Sequence, residues 1–211
     1  LYIIAALATQ TSTYIVYNLS NIIPYGIISL IVSTYLMSIK VSRYLLERKN
    51  KFLSESDQLT GLLNRNSYEQ HIAKLKEDKD KVISIAAFDI NGLKLVNDNL
   101  GHQAGDELIK GAADCISGVF NSYGHVYRTG GDEFMVIIEG LAPTSDELWA
   151  ELEKRTRCWK GALVSGLSLC MGVVTSKPGD SIEEVISKAD KLMYSYKEAY
   201  YRKNDIKERR S

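Results

Sequence analysis

From Leu1 to Ile39 the chain carries no Lys, Arg, Asp or Glu, and its first charge is Lys40. Few folds accommodate such a run, because a charge-free helix of roughly 20 residues is what a bilayer crossing requires. The densest part, IIPYGIISLIVSTYLMSI (residues 22–39), is long enough for one crossing. The stretch before it, LYIIAALATQTSTYIVYNL, is more polar through Gln10, Thr11, Ser12 and Thr13. It reads either as a second crossing packed against other helices or as the tail of one already under way, with NLSNIIP as a short turn between the two. Lys40, Arg43, Arg48, Lys49 and Lys51, against Glu47 and Glu55, follow at once. That basic flank places the C-terminal side in the cytoplasm, and so the chain in the cell inner membrane. A buried soluble helix is the competing reading. A cleaved signal peptide fits less well, since the basic residues follow the apolar run instead of preceding it. The start at Leu leads to the expectation of a longer membrane protein with a sensory region upstream.

Charge elsewhere is balanced, 26 basic against 26 acidic residues, so nothing points to nucleic acid as a partner. Cys115, Cys158 and Cys170 lie far apart without a CxxC spacing and read as buried thiols in a reducing compartment. These features divide the chain into a transmembrane region (1–39), a cytoplasmic helical stalk (40–56), a globular domain (57–204) and a charged tail (205–211). The stalk, VSRYLLERKNKFLSESD, has apolar residues at Tyr44, Leu45, Phe52 and Leu53. It suits a helix that pairs with a second copy, or equally a solvated linker.

Within the globular part, Asn64 is placed to cap a helix through SYEQHIAKLKE. VISIAAFDI (82–90) is a continuous apolar run ending in a carboxylate, the pattern of a central strand with chemistry at its C-terminal end. Leu108, Ile109, Ala112, Ala113, Ile116 and Val119 repeat at helical spacing. HVYR and EFMVII read as short strands joined at Gly130-Gly131, and GLSLCMGVV as another. Helices start near Ser145 and at SIEEVISKADKLMYSYKEAY. Alternating helices and strands with one hairpin predict an α/β fold, a mixed central sheet flanked by helices.

Three polar clusters fall at predicted strand ends. Asp89, followed by Ile90 and Asn91, can hold a hard divalent cation, with a backbone carbonyl as a second oxygen ligand. Gly130-Gly131-Asp132-Glu133 removes side chains where a nucleotide could approach and adds acids on the facing side. Lys94, Asn97, His102 and Asp106 lie in the link to the next helix and its first turns, where an amide and a carboxylate together can read a guanine edge. Plainer readings exist for each. Asp89-Ile90-Asn91-Gly92 suits an Asx-type turn, Gly130-Gly131 a hairpin turn with positive φ, and Asp106 a partner for a helix N-terminus. His102 alone suits a cap or a packed side chain. None of these explains why the three clusters occur together.

Four motifs in order resemble the GGDEF domain of diguanylate cyclases: DQLTGLLNR (57–65), FDINGLKLVNDNLGHQAGDE (88–107), YRTGGDEF and SKADKLMY (187–194). The resemblance covers Asp57 to about Lys197 and implies a nucleotide-cyclase-like fold that joins two GTP into cyclic di-GMP, releasing two pyrophosphates. It assigns magnesium, with manganese as a substitute and two ions per site, to Asp89, the Ile90 carbonyl and Asp132. It gives catalytic roles to Asp132, Lys94 and Glu133, with Asp132 the candidate acceptor of the ribose 3′-hydroxyl proton. Asn97 and Asp106 correspond to guanine readers, His102, Gly130 and Gly131 to substrate positions, and Lys197 to a phosphate contact. Because each domain holds one GTP, it also implies a homodimer, whose encounters a membrane stalk could control.

The chain departs from the family pattern in three places. Asn91 and Leu93 replace an Asp and a Phe that many members carry. Asn121 and Gly124 stand at the Arg and Asp of an inhibitory product site, so feedback through that site is expected to be absent. The closing Lys-x-x-Gly-Arg-Asn reads KEAYYRKN, with Tyr200 and Tyr201 in place of Gly and Arg and with Arg202 a substitute phosphate contact one position later. These changes keep a second reading open, a catalytically inactive domain that binds GTP or dimerises to regulate a partner.

Overall fold

A computed structural model describes residues 2–77, 81–177 and 179–203, and the expected charged tail lies outside them. The chain forms two compact units, residues 1–52 and 53–211. In the first, helix α1 (Tyr2–Glu55) runs without a break through Pro24 and ends just inside the second unit. The turn expected at NLSNIIP is therefore not formed, and the polar stretch before it continues the same helix. Its threonine hydroxyls are satisfied within the helix. Thr9, Thr11 and Thr13 each donate to the carbonyl four residues back, as Ser and Thr do when no other acceptor is near. Among the described residues, one segment, Pro24–Arg48, is long and apolar enough to cross a membrane, with a mean hydropathy of 1.4. Its apolar side chains, among them Leu30, Ile31 and Leu36, are exposed.

The second unit is a five-stranded mixed sheet in the order β1-β3-β4-β2-β5. Its strands are β1 (Leu63–Asn64), β2 (Ser84–Ile90), β3 (His125–Arg128), β4 (Glu133–Ile138) and β5 (Leu169–Thr175). The short β1 runs parallel to β3, and all other pairs are antiparallel. Alternation along the central strands sorts the core into two layers, because successive side chains leave opposite faces of a sheet. Ala86, Phe88, Ile90, Phe134 and Val136 pack under α3 (Leu93–Leu100), α4 (His102–Phe120) and α5 (Ser145–Cys158). Ile85, Ala87, Met135 and Ile137 pack under α2 (Arg65–Leu75) and α6 (Ile182–Lys203). By that parity Asp89 faces the α2/α6 side.

Local signals set the helix starts. Asn64 is the N-cap of α2, its side chain accepting from Ser67 N at 3.1 Å. Thr144 and Glu147 close a reciprocal capping box at α5. Two expectations are corrected. Lys94 and Asn97 lie in a separate helix, α3, because Gly101 at φ 85° breaks it from α4. Of the three cysteines, Cys115 and Cys170 are buried but Cys158 is exposed, since it ends the amphipathic helix α5 on its solvent side.

Candidate active site

The C-terminal end of β2, the β3–β4 turn and the starts of α3 and α4 converge at one edge of the sheet. Asp89 stands opposite Glu133 in the β2–β4 register, and the Ile90 N–H donates to the Asp132 carbonyl at 3.3 Å. The two acid-bearing segments are thus bonded to each other through their backbones. Asp89 is 5% exposed. Its Oδ2 accepts from Lys197 Nζ of α6 at 2.8 Å, while its Oδ1 is buried without a hydrogen-bond partner. Burial pushes its carboxyl up to about 6; the Lys197 ammonium opposes that, and Asp132 and Glu133 reinforce it. Burial alone would lower the Lys197 ammonium, but its Asp89 partner outweighs this and holds it above the usual lysine range.

A buried carboxylate oxygen without a donor is costly unless a cation meets it. That oxygen, the Ile90 backbone and Asp132 fit a hard divalent ion, whose other ligands would come from phosphate and water. Among the described residues no three His, Cys, Asp or Glu side chains converge to enclose a metal alone. Asn91 does not face this point. Its amide donates to Ser168 Oγ at 2.9 Å and its Oδ1 accepts from Cys170 Sγ at 3.1 Å, so it ties β2 to β5.

The glycines of the β3–β4 turn have reasons other than φ. Neither Gly130 nor Gly131 is among the glycines in the left-handed region. A Cβ on Gly130 would lie 2.7 Å from Glu133 Oε2, so that carboxylate folds back over the turn. A Cβ on Gly131 would meet nothing within 4 Å. Neither backbone conformation nor packing inside the chain requires glycine there, and what remains is open space for something arriving from outside. Arg128 holds this turn. Its guanidinium donates to both oxygens of Asp57, at 3.0 and 3.1 Å, and to the Gly131 carbonyl at 2.8 Å. Thr60 donates to Asp57 from both its amide and its hydroxyl. Burial opposes them, but these bonds to Thr60 and Arg128 hold the Asp57 carboxyl below its usual range.

On the other side, Gly92 at φ 75° caps α3 and its N–H donates to Tyr201 Oη at 3.3 Å. Lys94, His102 and Asp106 are exposed, and Asn97 is half-buried. Asn97 lies against α4 at Gly105, where a Cβ would come within 1.9 Å of its Oδ1. Beside Asp106, Glu107 accepts from three successive amides, Ala162, Leu163 (2.8 Å) and Val164 (3.0 Å), and so pins the α5–β5 loop onto α4. Lys94 and Asn97 thus lie on α3, and His102 and Asp106 on the first turns of α4. Arg202 is directed elsewhere, to Glu198 of its own helix at 3.7 Å. At the inhibitory-site positions, a Cβ on Gly124 would lie 2.1 Å from the Ile137 carbonyl oxygen, so this backbone leaves no room for an Asp.

Asp57, Arg128, Gly105 and Glu107 received no role from sequence. All four fall inside the matching motifs, but the partners of Asp57, Arg128 and Glu107 are distant in the chain.

Comparison with known proteins bears on the fold and the family. Residues 54–203 match the family described as diguanylate cyclase, GGDEF domain. A diguanylate cyclase of Shewanella oneidensis, DgcS, is 30% identical over 144 residues, covering 67% of this chain and 49% of that protein. The Vibrio cholerae diguanylate cyclase VdcA is 32% identical over 148 residues, 67% of this chain and 43% of that one. The chain thus spans about half the length of these relatives, or less. The coiled coil and GGDEF domain of DgcB from Caulobacter crescentus, solved in complex with c-di-GMP, superposes with a TM-score of 0.64 at 25% identity, covering 80% of this chain and 93% of that one. The chain belongs to the diguanylate cyclase GGDEF-domain family.

Proposed function

We propose that the protein is a diguanylate cyclase that condenses two GTP into cyclic di-GMP and two pyrophosphates across a homodimer. The observation that carries this reading is the buried, unpartnered Oδ1 of Asp89 on a strand paired to the one that opens from the uncrowded Gly131 turn. One is a place for a cation and the other a place for a nucleotide. In this reading Asn97 and Asp106 hold the guanine edge, and His102 borders the ribose and phosphates. Lys94, in the first turn of α3, meets the triphosphate together with the positive end of that helix. Magnesium or manganese, two ions per site, held by Asp89, the Ile90 carbonyl and Asp132, would neutralise phosphate charge and acidify the attacking hydroxyl.

The ribose 3′-oxygen of one GTP attacks the α-phosphorus of the other. A new O–P bond forms, the bond to the β-phosphate oxygen breaks, and pyrophosphate leaves. Asp132 accepts the 3′-hydroxyl proton, and Glu133 balances Lys94. The same step with the roles exchanged closes the ring. Each chain binds one nucleotide in this way, so two must face each other, and proximity supplies much of the rate. The Pro24–Arg48 segment anchors the chain in the inner membrane with the catalytic domain in the cytoplasm.

The test is product identification by mass after incubating the detergent-solubilised chain with GTP and Mg²⁺, beside Asp132→Ala. Cyclic di-GMP and pyrophosphate in a 1:2 ratio from the parent, and neither from the variant, is the expected result. A folded parent that binds GTP without forming cyclic di-GMP overturns the enzyme reading in favour of a GTP-binding regulatory domain.

A further inference from the structure

The start of α4 is poorly supported by its own sequence. Gly101 precedes it without a side-chain cap bond, its first turn carries no acid, and glycines stand at 105 and 111. Each glycine costs about 1 kcal/mol of helix propensity relative to alanine. Asp106, one of the two residues that would read the base, sits in this stretch. Its exposed side chain reaches only as far as the helix backbone brings it. What fixes the helix start lies outside the helix.

The α5–β5 loop holds it at two points. A Cβ on Gly111 would come within 2.5 Å of Trp159 Nε1, so the indole packs directly on the helix backbone. One turn earlier, the Glu107 carboxylate accepts the amides of Ala162, Leu163 and Val164. Successive amides converging on one point form an anion-binding concavity, and here the anion is the chain's own. The Ala162 amide does most to hold the Glu107 carboxyl below its usual range; burial opposes it, and the Leu163 and Val164 amides add to it. The loop is itself anchored, because Gly161 N–H donates to the Val164 carbonyl at 2.9 Å and Val164 is buried. On α4, Gly105 meets Asn97 of α3 and Glu107 meets the loop. Two residues apart is about 200° around a helix, so α3 and the loop grip opposite faces, with Asp106 between them.

We propose that Glu107 is a positioning residue for base recognition: seated on the 162–164 amides, its carboxylate holds the first turns of α4 against α3 and so sets the distance between Asp106 and Asn97. Without that anchor the uncapped turns shift, and the two groups no longer meet one guanine edge together. Glu107 itself touches no substrate. The proposal rests on the base-reading part of the cyclase reading.

The experiment compares the affinities of the full chain, in detergent with Mg²⁺, for the α,β-methylene analogues of GTP and ITP. Inosine lacks the 2-amino group, so the ratio of the two affinities reports one hydrogen bond to the reading carboxylate. The parent is expected to prefer the guanine analogue about tenfold, the worth of a bond to a charged group. Glu107→Ala should cut that preference to about twofold, because the reading pair is no longer held in place. Glu107→Gln keeps one acceptor oxygen and should recover about fivefold, since its bonds lack the charge. Gly161→Ala attacks the same contact from the loop. Gly161 is not among the left-handed glycines, but a Cβ there would stand 2.6 Å from Glu107 Oε2. Displacing the carboxylate should lower the preference to about threefold, and this variant decides the matter if Glu107→Ala does not fold. Both analogues weakened equally, with the preference kept, would show a merely structural role and overturn the proposal. An unchanged preference in Glu107→Ala or Gly161→Ala overturns it too, and leaves the base-reading intact. A parent that binds both analogues equally removes the base-reading itself, and this proposal with it.

Discussion

The two halves of the site are built differently. The acid half, Asp89 and the Asp132–Glu133 turn, sits on paired strands, with Lys197 reaching in from α6. Its Asp89 is buried, its turn acids are half-buried or exposed, and the half is bonded to itself and to Arg128. The base-reading half, Lys94, Asn97, His102 and Asp106, sits on the first turns of two helices and is largely exposed. Among the described residues no hydrogen bond or ion pair holds the side chains of Lys94, His102 or Asp106. The contrast follows from what each half would bind in the proposed reading. A cation needs its ligands fixed before it arrives, because rearranging buried charge is expensive. A planar base can complete its own hydrogen bonds on arrival, at the cost of ordering a few exposed side chains. Preorganisation belongs to the metal side, and selectivity is left to the nucleotide.

The largest effect expected on the acid half comes from its support. Arg128→Ala strands the half-buried Asp57 carboxylate and releases the Gly131 carbonyl. It should lower stability by about 2–3 kcal/mol in urea melts of the GGDEF unit. A loss under 1 kcal/mol would mean that the turn holds itself.

Almost as large is a pH effect from Asp89. Its carboxyl is raised to about 6 in the fold, above its unfolded value. Between roughly pH 4 and 6 the native state therefore holds the proton that the unfolded chain has lost. Stability then falls as pH rises through that window, by at most about 3 kcal/mol. Asp89→Asn cannot ionise, so its melting temperature in EDTA should gain on the parent between pH 5 and 7.5. A constant difference across that range would contradict the buried-acid picture.

Much of this was legible in the sequence, and the rest was not for a definable reason. The apolar run through Asp89 announced a central strand, but which of its residues share a face came from the folded sheet. Asn64 marked a helix start through local rules of capping, and the start near Ser145 was legible without its Thr144 cap. The Asp57–Arg128 pair spans 71 residues and the Lys197–Asp89 pair 108, and no local pattern encodes such partners. Gly130-Gly131 invited a positive-φ explanation that the backbone does not support, because dihedral need and open space leave the same letter in a sequence. The unbroken α1 is the reverse case. Pro24 and a polar stretch suggested a turn, but hydroxyls bonding back to their own helix let the helix continue.

Two smaller effects separate the halves further. Gly131→Ala meets open space and an ordinary φ, so stability should stay within about 0.5 kcal/mol. GTP affinity in the presence of Mg²⁺ should nonetheless fall about tenfold, if a nucleotide approaches the backbone there. Unchanged affinity would return this glycine to the status of a turn residue. Gly105→Ala should gain up to about 1 kcal/mol of helix propensity and lose it again by displacing the Asn97 carboxamide. Its fold should therefore be near neutral, with guanosine binding weakened about fivefold and Mn²⁺ binding untouched. Loss of Mn²⁺ binding in that variant would show the halves to be coupled.

The most direct test of the division is steady-state cyclic di-GMP formation by the parent, Asp89→Ala and Asn97→Ala across a wide range of GTP. The account predicts that Asp89→Ala stays inactive at every GTP concentration, since its defect lies in kcat. Asn97→Ala should approach the parent rate as GTP saturates, since its defect lies in KM. Recovery of Asp89→Ala at high GTP, or an Asn97→Ala enzyme that remains inactive at saturation, would contradict it.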